Sequence, residues 1–203
     1  MPSKIAVVVL AAGASKRMGV PKQLLKWGNG TLITHTIQTV LKLNADAIYV
    51  VLGANFQLIK KTIHHFPITI LNNENWEHGL GTSIACASKF IQNEKPEIDA
   101  LLFILADQPF ITADYLNKII LSFSPNEKQI VASFYQNRKF GVPALFDAFY
   151  FEQLSKLNDD YGARHILKAN ESVMKALIPP VKNVDLDFKE DYERLYKENF
   201  EKT

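Results

Sequence analysis

The sequence predicts an α/β fold on a mostly parallel sheet. Two observations carry this reading. Short, uninterrupted apolar runs recur along the chain as far as Phe134, and segments of helical periodicity fill the gaps between them. The first run, Ile5-Ala6-Val7-Val8-Val9-Leu10, has no polar alternation and suits a strand covered on both faces. Ala47-Ile48-Tyr49-Val50-Val51-Leu52 and Ala100-Leu101-Leu102-Phe103-Ile104-Leu105 repeat the pattern. Ile68-Thr69-Ile70-Leu71 is a weaker run, and Ile130-Val131-Ala132-Ser133-Phe134 a fifth.

Between the strands, Ile33, Ile37, Val40 and Leu41 share one helical face. Ile84, Ala87 and Ile91 do so in a helix beginning near Gly81. Leu116, Ile119, Ile120 and Phe123 follow a cap at Thr112. Phe188, Tyr192, Leu195 and Tyr196 give a C-terminal helix, whose charged residues form a solvated face. Pro143 makes any strand over 140–146 an edge strand or a bulged one. No repeat or flexible linker divides the chain, so residues 1–203 are expected to form one domain.

Composition narrows the function classes. Hydrophobic residues at 47% and charged residues at 22% exclude a disordered or fibrous chain. A net charge of +2 gives no reason to expect nucleic acid or membrane as partner, while small anionic substrates stay open. Cys86, the lone cysteine, cannot form an internal disulfide and reads as core packing on a helix. The apolar run from Ile5 to Ala12 falls far short of the about 20 residues of a spanning helix. A cytosolic protein is expected. His64, His65 and His78 lack zinc-ligand spacing. Trp27, Phe149, Tyr150 and Phe151 are where an oligomer interface would be sought.

In parallel sheets ligands bind beyond the C-terminal ends of the strands, here after Leu10, Leu52, Leu71 and Leu105. The first of these exits reads Leu10-Ala11-Ala12-Gly13-Ala14-Ser15-Lys16-Arg17-Met18-Gly19-Val20-Pro21-Lys22. Small residues let backbone N–H groups approach an anion, and Ser15, Arg17 and Lys22 add donors and charge. Two known phosphate loops fail here. Walker A requires Gly-Lys-Ser/Thr where Met18 stands. The dinucleotide fingerprint requires Gly where Ser15 stands and an acid where the second strand ends in Leu52-Gly53-Ala54. Asp107 directly follows an apolar strand. Its position fits a hard oxygen ligand for Mg²⁺ and equally a turn or cap before Pro109.

The whole first string resembles the L-A-A-G-x-S-x-R-M-G-x-x-K signature of the MobA-like NTP transferase family, nucleotidyltransferases related to molybdenum-cofactor synthesis. Further blocks resemble that family in order. They are the segment 73–83, with Glu74 and Leu80 for the usual Pro and Met, and Leu105-Ala106-Asp107-Gln108-Pro109 as it stands. Gly141-Val142-Pro143-Ala144-Leu145-Phe146 follows, then Asp160-Tyr161-Gly162-Ala163-Arg164 with Asp159 for Gly. The last is the segment 185–192, with Phe188 and Lys189 for Thr and Pro. The branch most similar is that of the molybdenum cofactor cytidylyltransferases. Ala12, where the guanylyl branch usually has Gly, leans toward CTP on the steric ground that a Cβ beside the base penalises a purine.

The resemblance implies a Rossmann-like three-layer α/β/α nucleotidyltransferase fold, with a nucleotide-binding half over about 1–110 and an acceptor-binding half over about 111–203. It implies a Mg²⁺-dependent transfer of CMP from CTP to molybdopterin with release of pyrophosphate. Arg17, Lys22 and Asp107 would be catalytic, and Asp107 and Asp187 would hold the metal. Leu10, Ala11, Ala12, Gly13, Ser15, Asn73, Gly79, Gly81 and Ser83 would join Arg17 and Lys22 in binding the nucleotide. Gly141, Pro143 and Arg164 would serve the acceptor. A molybdoenzyme or its maturation chaperone would be a partner. Guanylyl transfer, transfer to a sugar phosphate and non-catalytic delivery of cofactor are the alternatives. A nicotinamide-dependent oxidoreductase is disfavoured by the failed fingerprint.

Overall fold

The computed structural model describes residues 3–95, 97–135, 139–179, 186 and 188–201. Strands β1 (Ile5–Leu10), β4 (Ala47–Leu52), β5 (Thr69–Asn72), β6 (Ala100–Leu105), β7 (Ile130–Phe134), β8 (Phe140–Asp147) and β9 (Lys175–Leu177) form one sheet. Their order is β5-β4-β1-β6-β8-β7-β9. Every pairing is parallel except those of β8, which runs antiparallel to both β6 and β7. A small hairpin, β2 (Lys26–Trp27) with β3 (Gly30–Thr31), stands apart. The helices are α1 (Leu32–Val40), α2 (Phe56–Ile63), α3 (Leu80–Glu94), α4 (Ala113–Leu121), α5 (Phe151–Ser155), α6 (Arg164–Ala169) and α7 (Lys189–Phe200).

The continuous apolar runs become the centre of the sheet because side chains alternate between two covered faces. Val7 and Val9 of β1 pack toward α1, α2 and α4, through Ile33, Ile37, Ile59, Ile63, Leu116 and Ile119. Ala6, Val8 and Leu10 face the other way, toward Ile84, Ala87 and Ile91 of α3, Leu154 of α5 and Ile166 of α6. The result is the three-layer α/β/α arrangement. At the lower edge the Asp46 and Asp99 carboxylates accept from the N–H groups of Ile5 and Lys4 at 2.8 Å, which ties the start of β1 to the entries of β4 and β6.

Thr112 caps α4 as expected, accepting from the Tyr115 N–H at 3.3 Å. The Pro143 strand is bulged and lies in the interior of the sheet. The β7–β8 register shifts at Ala132/Ser133, the Val142–Pro143 peptide is cis, and pairing with β6 stops at Ala144. The ladder thus ends on the β6 side before it reaches the residue that lacks an N–H. Trp27, Tyr150 and Phe151 are buried within the fold, and Phe149 is exposed. Trp27 sits under α7 with Leu195, and meets Phe110 and Phe200 edge-on at 5.6 and 5.2 Å. Cys86 lies half-buried on α3, its thiol 3.7 Å from the Asn72 carbonyl, and burial pushes its pKa up against the opposing pull of Lys89.

The edge strand β9 pairs with β7 and is further tied by the Lys175 ammonium, which donates to the Ser122 carbonyl at 2.8 Å, and by Tyr115. Buried Tyr115 donates toward Ser133 Oγ at 2.8 Å and the Leu177 carbonyl at 3.1 Å. Tyr115→Phe is therefore expected to destabilise the protein by about 1–2 kcal/mol, measured by urea unfolding with an unchanged slope. An unaltered midpoint would show that the hydroxyl fastens nothing.

Candidate active site

The site is assembled where β1, β4 and β6 leave the sheet. Past Leu10, the Ala11 N–H donates to the Val51 carbonyl and the Ala54 N–H donates to the Ala12 carbonyl, both at 2.9 Å. The Ala106 N–H donates to the Leu10 carbonyl at 3.2 Å. The loop after β1 is thereby held between the exits of β4 and β6. Ser15 adopts a left-handed backbone (φ 56), and its hydroxyl accepts from the Lys22 N–H at 3.0 Å. The chain folds back through Pro21-Lys22, which brings Lys22 beside the mouth of β6.

There the Lys22 ammonium is ion-paired with the Asp107 carboxylate. Both side chains are mostly buried, 18% and 13% exposed. In such surroundings each charge offsets the desolvation of the other. The loop carrying Asp107 is held by α1. Thr36 Oγ1 donates to the Ala106 carbonyl at 3.3 Å, shared with Leu32, and His35 Nε2 lies 2.9 Å from the Pro109 carbonyl. A carbonyl can only accept, so Nε2 is the donor in this contact.

These elements border an open cavity of about 590 Å³. It is lined by Leu10 to Ala14, Lys16, Lys22 and Gln23, by Trp76, Glu77, Gly79, Leu80 and Ser83, and by Leu105 to Asp107. Asp160 enters from the second half of the chain. Of the residues expected at the nucleotide, Leu10, Ala11, Ala12, Gly13, Lys22, Gly79 and Ser83 border the cavity, as does Asp107.

Other expected residues have different surroundings. Asn73 is 3% exposed, and its carboxamide is engaged by its neighbours. It donates to Thr82 Oγ1 at 2.9 Å and Ser83 Oγ at 3.0 Å, and accepts from the Asn75 N–H at 3.0 Å. It shapes the start of α3. A Cβ on Gly79 (φ +104) would lie 2.5 Å from the Asp160 Cα, and one on Gly81 2.7 Å from the Asp159 carbonyl oxygen. The close approach these glycines permit is to the backbone of the 157–160 loop. The Ala12 methyl group faces Gly53, and the residue is 5% exposed. Ala12 nonetheless borders the cavity. Ser15 directs its hydroxyl into the loop itself. Arg17 is exposed with its guanidinium 5.5 Å from the Phe188 ring centroid. Gly141 and Pro143 lie on β8, with Gly141 against Tyr135, and exposed Arg164 opens α6. Asp187 lies outside the described residues.

Sequence reasoning passed over Lys16, Gln23, Trp76, Glu77 and Asp160 as cavity residues. Lys16 and Asp160 lie inside quoted motif blocks and carry charge, a signal that was available. Gln23 offered none. As to a metal, no group of three His, Cys, Asp or Glu side chains converges among the described residues. Asp107 supplies a hard carboxylate oxygen at the exit of β6, with Glu77 and Asp160 also bordering the cavity, and such a donor fits a divalent cation.

Comparison with known proteins places this geometry in a family. The MobA-like NTP transferase domain matches residues 7–173. The chain is 29% identical to nicotine blue oxidoreductase of Paenarthrobacter nicotinovorans over 169 residues, covering 79% of this chain and 80% of that protein. It is 28% identical to purine catabolism protein PucB of Bacillus subtilis over 187 residues, 89% of this chain and 88% of the other. It is 31% identical to molybdenum cofactor cytidylyltransferase of Escherichia coli over 117 residues, 58% of each. Among solved structures, Rv0371c from Mycobacterium tuberculosis superposes with a TM-score of 0.83 at 25% identity, over 97% of this chain and 99% of that one. The same fold is seen in the manganese complex of Rv0371c, at a TM-score of 0.79 and 24% identity over 96% of this chain and 99% of that one. Signature loop, sheet order and domain match agree: the chain belongs to the MobA-like NTP transferase family and has its Rossmann-like nucleotidyltransferase fold.

Proposed function

We propose that the protein transfers CMP from CTP to the terminal phosphate of molybdopterin and releases pyrophosphate. The observation that carries this reading is the pairing of Lys22 with Asp107 beside the small-residue loop, at the mouth of a cavity within the usual range for small-molecule sites. The similarity to molybdenum cofactor cytidylyltransferase supports the choice of base and acceptor.

In this scheme a phosphate oxygen of the acceptor attacks the α-phosphorus of CTP. The bond from that phosphorus to the bridging oxygen of the β-phosphate breaks, and pyrophosphate leaves with the electron pair. The attacking oxygen is already ionised at neutral pH, so no protein base is needed. Catalysis is placement and charge neutralisation. Lys22 and Lys16 bring positive charge to the polyphosphate, with Arg17 outside them at the surface. Asp107 would hold a divalent cation, with Asp187 as the second ligand; when bound, that ion neutralises phosphate charge as a Lewis acid. His35 and Thr36 keep the Asp107 loop in place. Ser83 borders the nucleoside end, and Gly141, Pro143 and Arg164 serve the acceptor. A molybdoenzyme or its chaperone would receive the product.

A second reading, an oxidoreductase, is favoured by one observation: nicotine blue oxidoreductase aligns over most of the chain. Against it, the loop after β1 lacks the dinucleotide fingerprint. Saturable binding of NADH would favour it.

Pyrophosphate release should occur with molybdopterin, Mg²⁺ and CTP, and not with GTP, ATP or UTP. Release with GTP would keep the reaction and replace the base. Silence with all four would call for sugar phosphates as acceptor, or for a carrier role. Asp107→Ala is expected to lower kcat by about a thousandfold with the circular dichroism spectrum retained. Wild-type rates in that variant would remove Asp107 from the reaction. Arg17→Ala should mainly raise KM for the nucleotide, by about tenfold, and an unchanged kcat/KM would withdraw its role.

A further inference from the structure

Backbone hydrogen bonds at Ala11, Ala12 and Ser15 hold part of the loop after β1, and a side chain takes the carbonyls of Ala11 and Gly13. That side chain belongs to Gln23, which is 2% exposed. Its Nε2 donates to the Ala11 carbonyl at 2.9 Å and to the Gly13 carbonyl at 2.8 Å. Its Oε1 faces the Ser15 hydroxyl at 3.5 Å. Two carbonyls demand the amide nitrogen on their side, and a hydroxyl donor suits the oxygen, so the orientation of the carboxamide is fixed by its partners.

Peptide planarity turns this into a statement about the ligand. Both peptide units are trans, so each N–H points opposite to the carbonyl of the preceding residue. With the Ala11 and Gly13 carbonyls directed at Gln23, the N–H groups of Ala12 and Ala14 are directed away from it. The Ala12 carbonyl is taken by the Ala54 N–H, which turns the Gly13 N–H away from Ala54. Among the described residues no acceptor meets the N–H groups of Gly13 and Ala14. Ala12, Gly13 and Ala14 all border the cavity. A run of such donors makes an anion-binding nest only while its carbonyls are held back.

We propose that Gln23 is the positioning residue of the phosphate loop: it draws the Ala11 and Gly13 carbonyls inward and so presents the loop N–H groups to the polyphosphate. This rests on the nucleotide reading of the cavity, and it adds a residue that need not touch the nucleotide. A purely structural glutamine would affect stability alone. A positioning glutamine affects polyphosphate affinity in a protein that is still folded.

The test uses the full-length chain with Gln23→Met, which keeps the length and removes the donor, and Gln23→Leu as a second apolar variant. Trypsin reads the loop without any ligand, because Lys16 and Arg17 are exposed within it and Lys60 and Lys61 on α2 serve as an internal reference. Cutting after Lys16 or Arg17 should accelerate about fivefold or more against the reference sites. Affinity for magnesium pyrophosphate, by calorimetry, should fall about tenfold, KM for CTP should rise to match, and kcat should stay within about threefold. An unchanged cutting rate would overturn the role of Gln23 and leave nucleotide binding by the wild-type protein intact. Faster cutting with unchanged pyrophosphate affinity would reduce Gln23 to a structural residue and overturn the proposal. A wild-type protein that binds neither pyrophosphate nor CTP would overturn the nucleotide reading itself, and the phosphate half of this proposal with it.

Discussion

The parallel pairing of β1 with β6 is the constraint on which the site depends. The two strands run in register from Ile5 opposite Ala100 to Leu10 opposite Leu105, and both are buried on both faces. Parallel neighbours leave the sheet at the same end, so the loop after Leu10 and the loop after Leu105 emerge side by side. Lys22 and Asp107, 85 residues apart in sequence, meet for that reason. The long apolar runs that secure this register carry no chemistry. They fix where the chemistry can be.

The second half of the chain completes the site through its backbone. The 157–160 loop lies against Gly79 and Gly81 so closely that the Asp159 carbonyl accepts from the Gly81 N–H at 2.7 Å. This contact explains how Asp159 replaces the glycine usual in related sequences. It is the main chain that meets α3, while the carboxylate accepts from the Tyr161 N–H at 2.9 Å and closes its own turn. Gly162, at φ +59, packs against Leu80 and Ile84 on the same helix. The cavity thus takes Asp160 from the second half of the chain together with residues of the first.

The central strands and the helices α1, α3, α4 and α7 were legible because burial imposes a period on sequence. A strand covered on both faces reads as a solid apolar run, and a helix covered on one face reads at spacings of three and four. Among the pieces that escaped, β9, α5, α6 and the β2–β3 hairpin are too short to show a period, while α2 buries only Ile59 and Ile63 and so offers too few apolar positions to mark a face. Pro143 was legible as an irregularity but not as an interior one, because where a ladder ends depends on the neighbouring strand. The loop after β1 and Asp107 were legible from residue type and place. Gly79 and Gly81 were harder, since a glycine that permits close approach does not say whether a ligand or another backbone approaches. Asn73 was ambiguous in the same way between binding a base and capping a helix. Gln23 carried no signal at all. A glutamine beside a lysine reads as solvated surface until the fold buries it.

The two ends of the sheet are finished with opposite polarity, and this bears on why the upper end suits an anion. Strands entering the sheet present N–H groups, and at the lower edge the carboxylates of Asp46 and Asp99 accept them. Strands leaving the sheet present carbonyl oxygens, which repel phosphate. At the upper edge several side chains donate to the main-chain carbonyls after β1 and β6. Gln23 takes the Ala11 and Gly13 carbonyls, Thr36 that of Ala106, and His35 that of Pro109. The Ala54 N–H takes the carbonyl of Ala12. With these oxygens turned inward, what the exits of β1 and β6 offer to the cavity is N–H groups and the Lys22–Asp107 pair rather than a ring of carbonyls. The lysine is kept near that edge by Asp107. On this reading, affinity for a polyphosphate depends less on net charge, which is only +2, than on how firmly a few neutral side chains hold the carbonyls away.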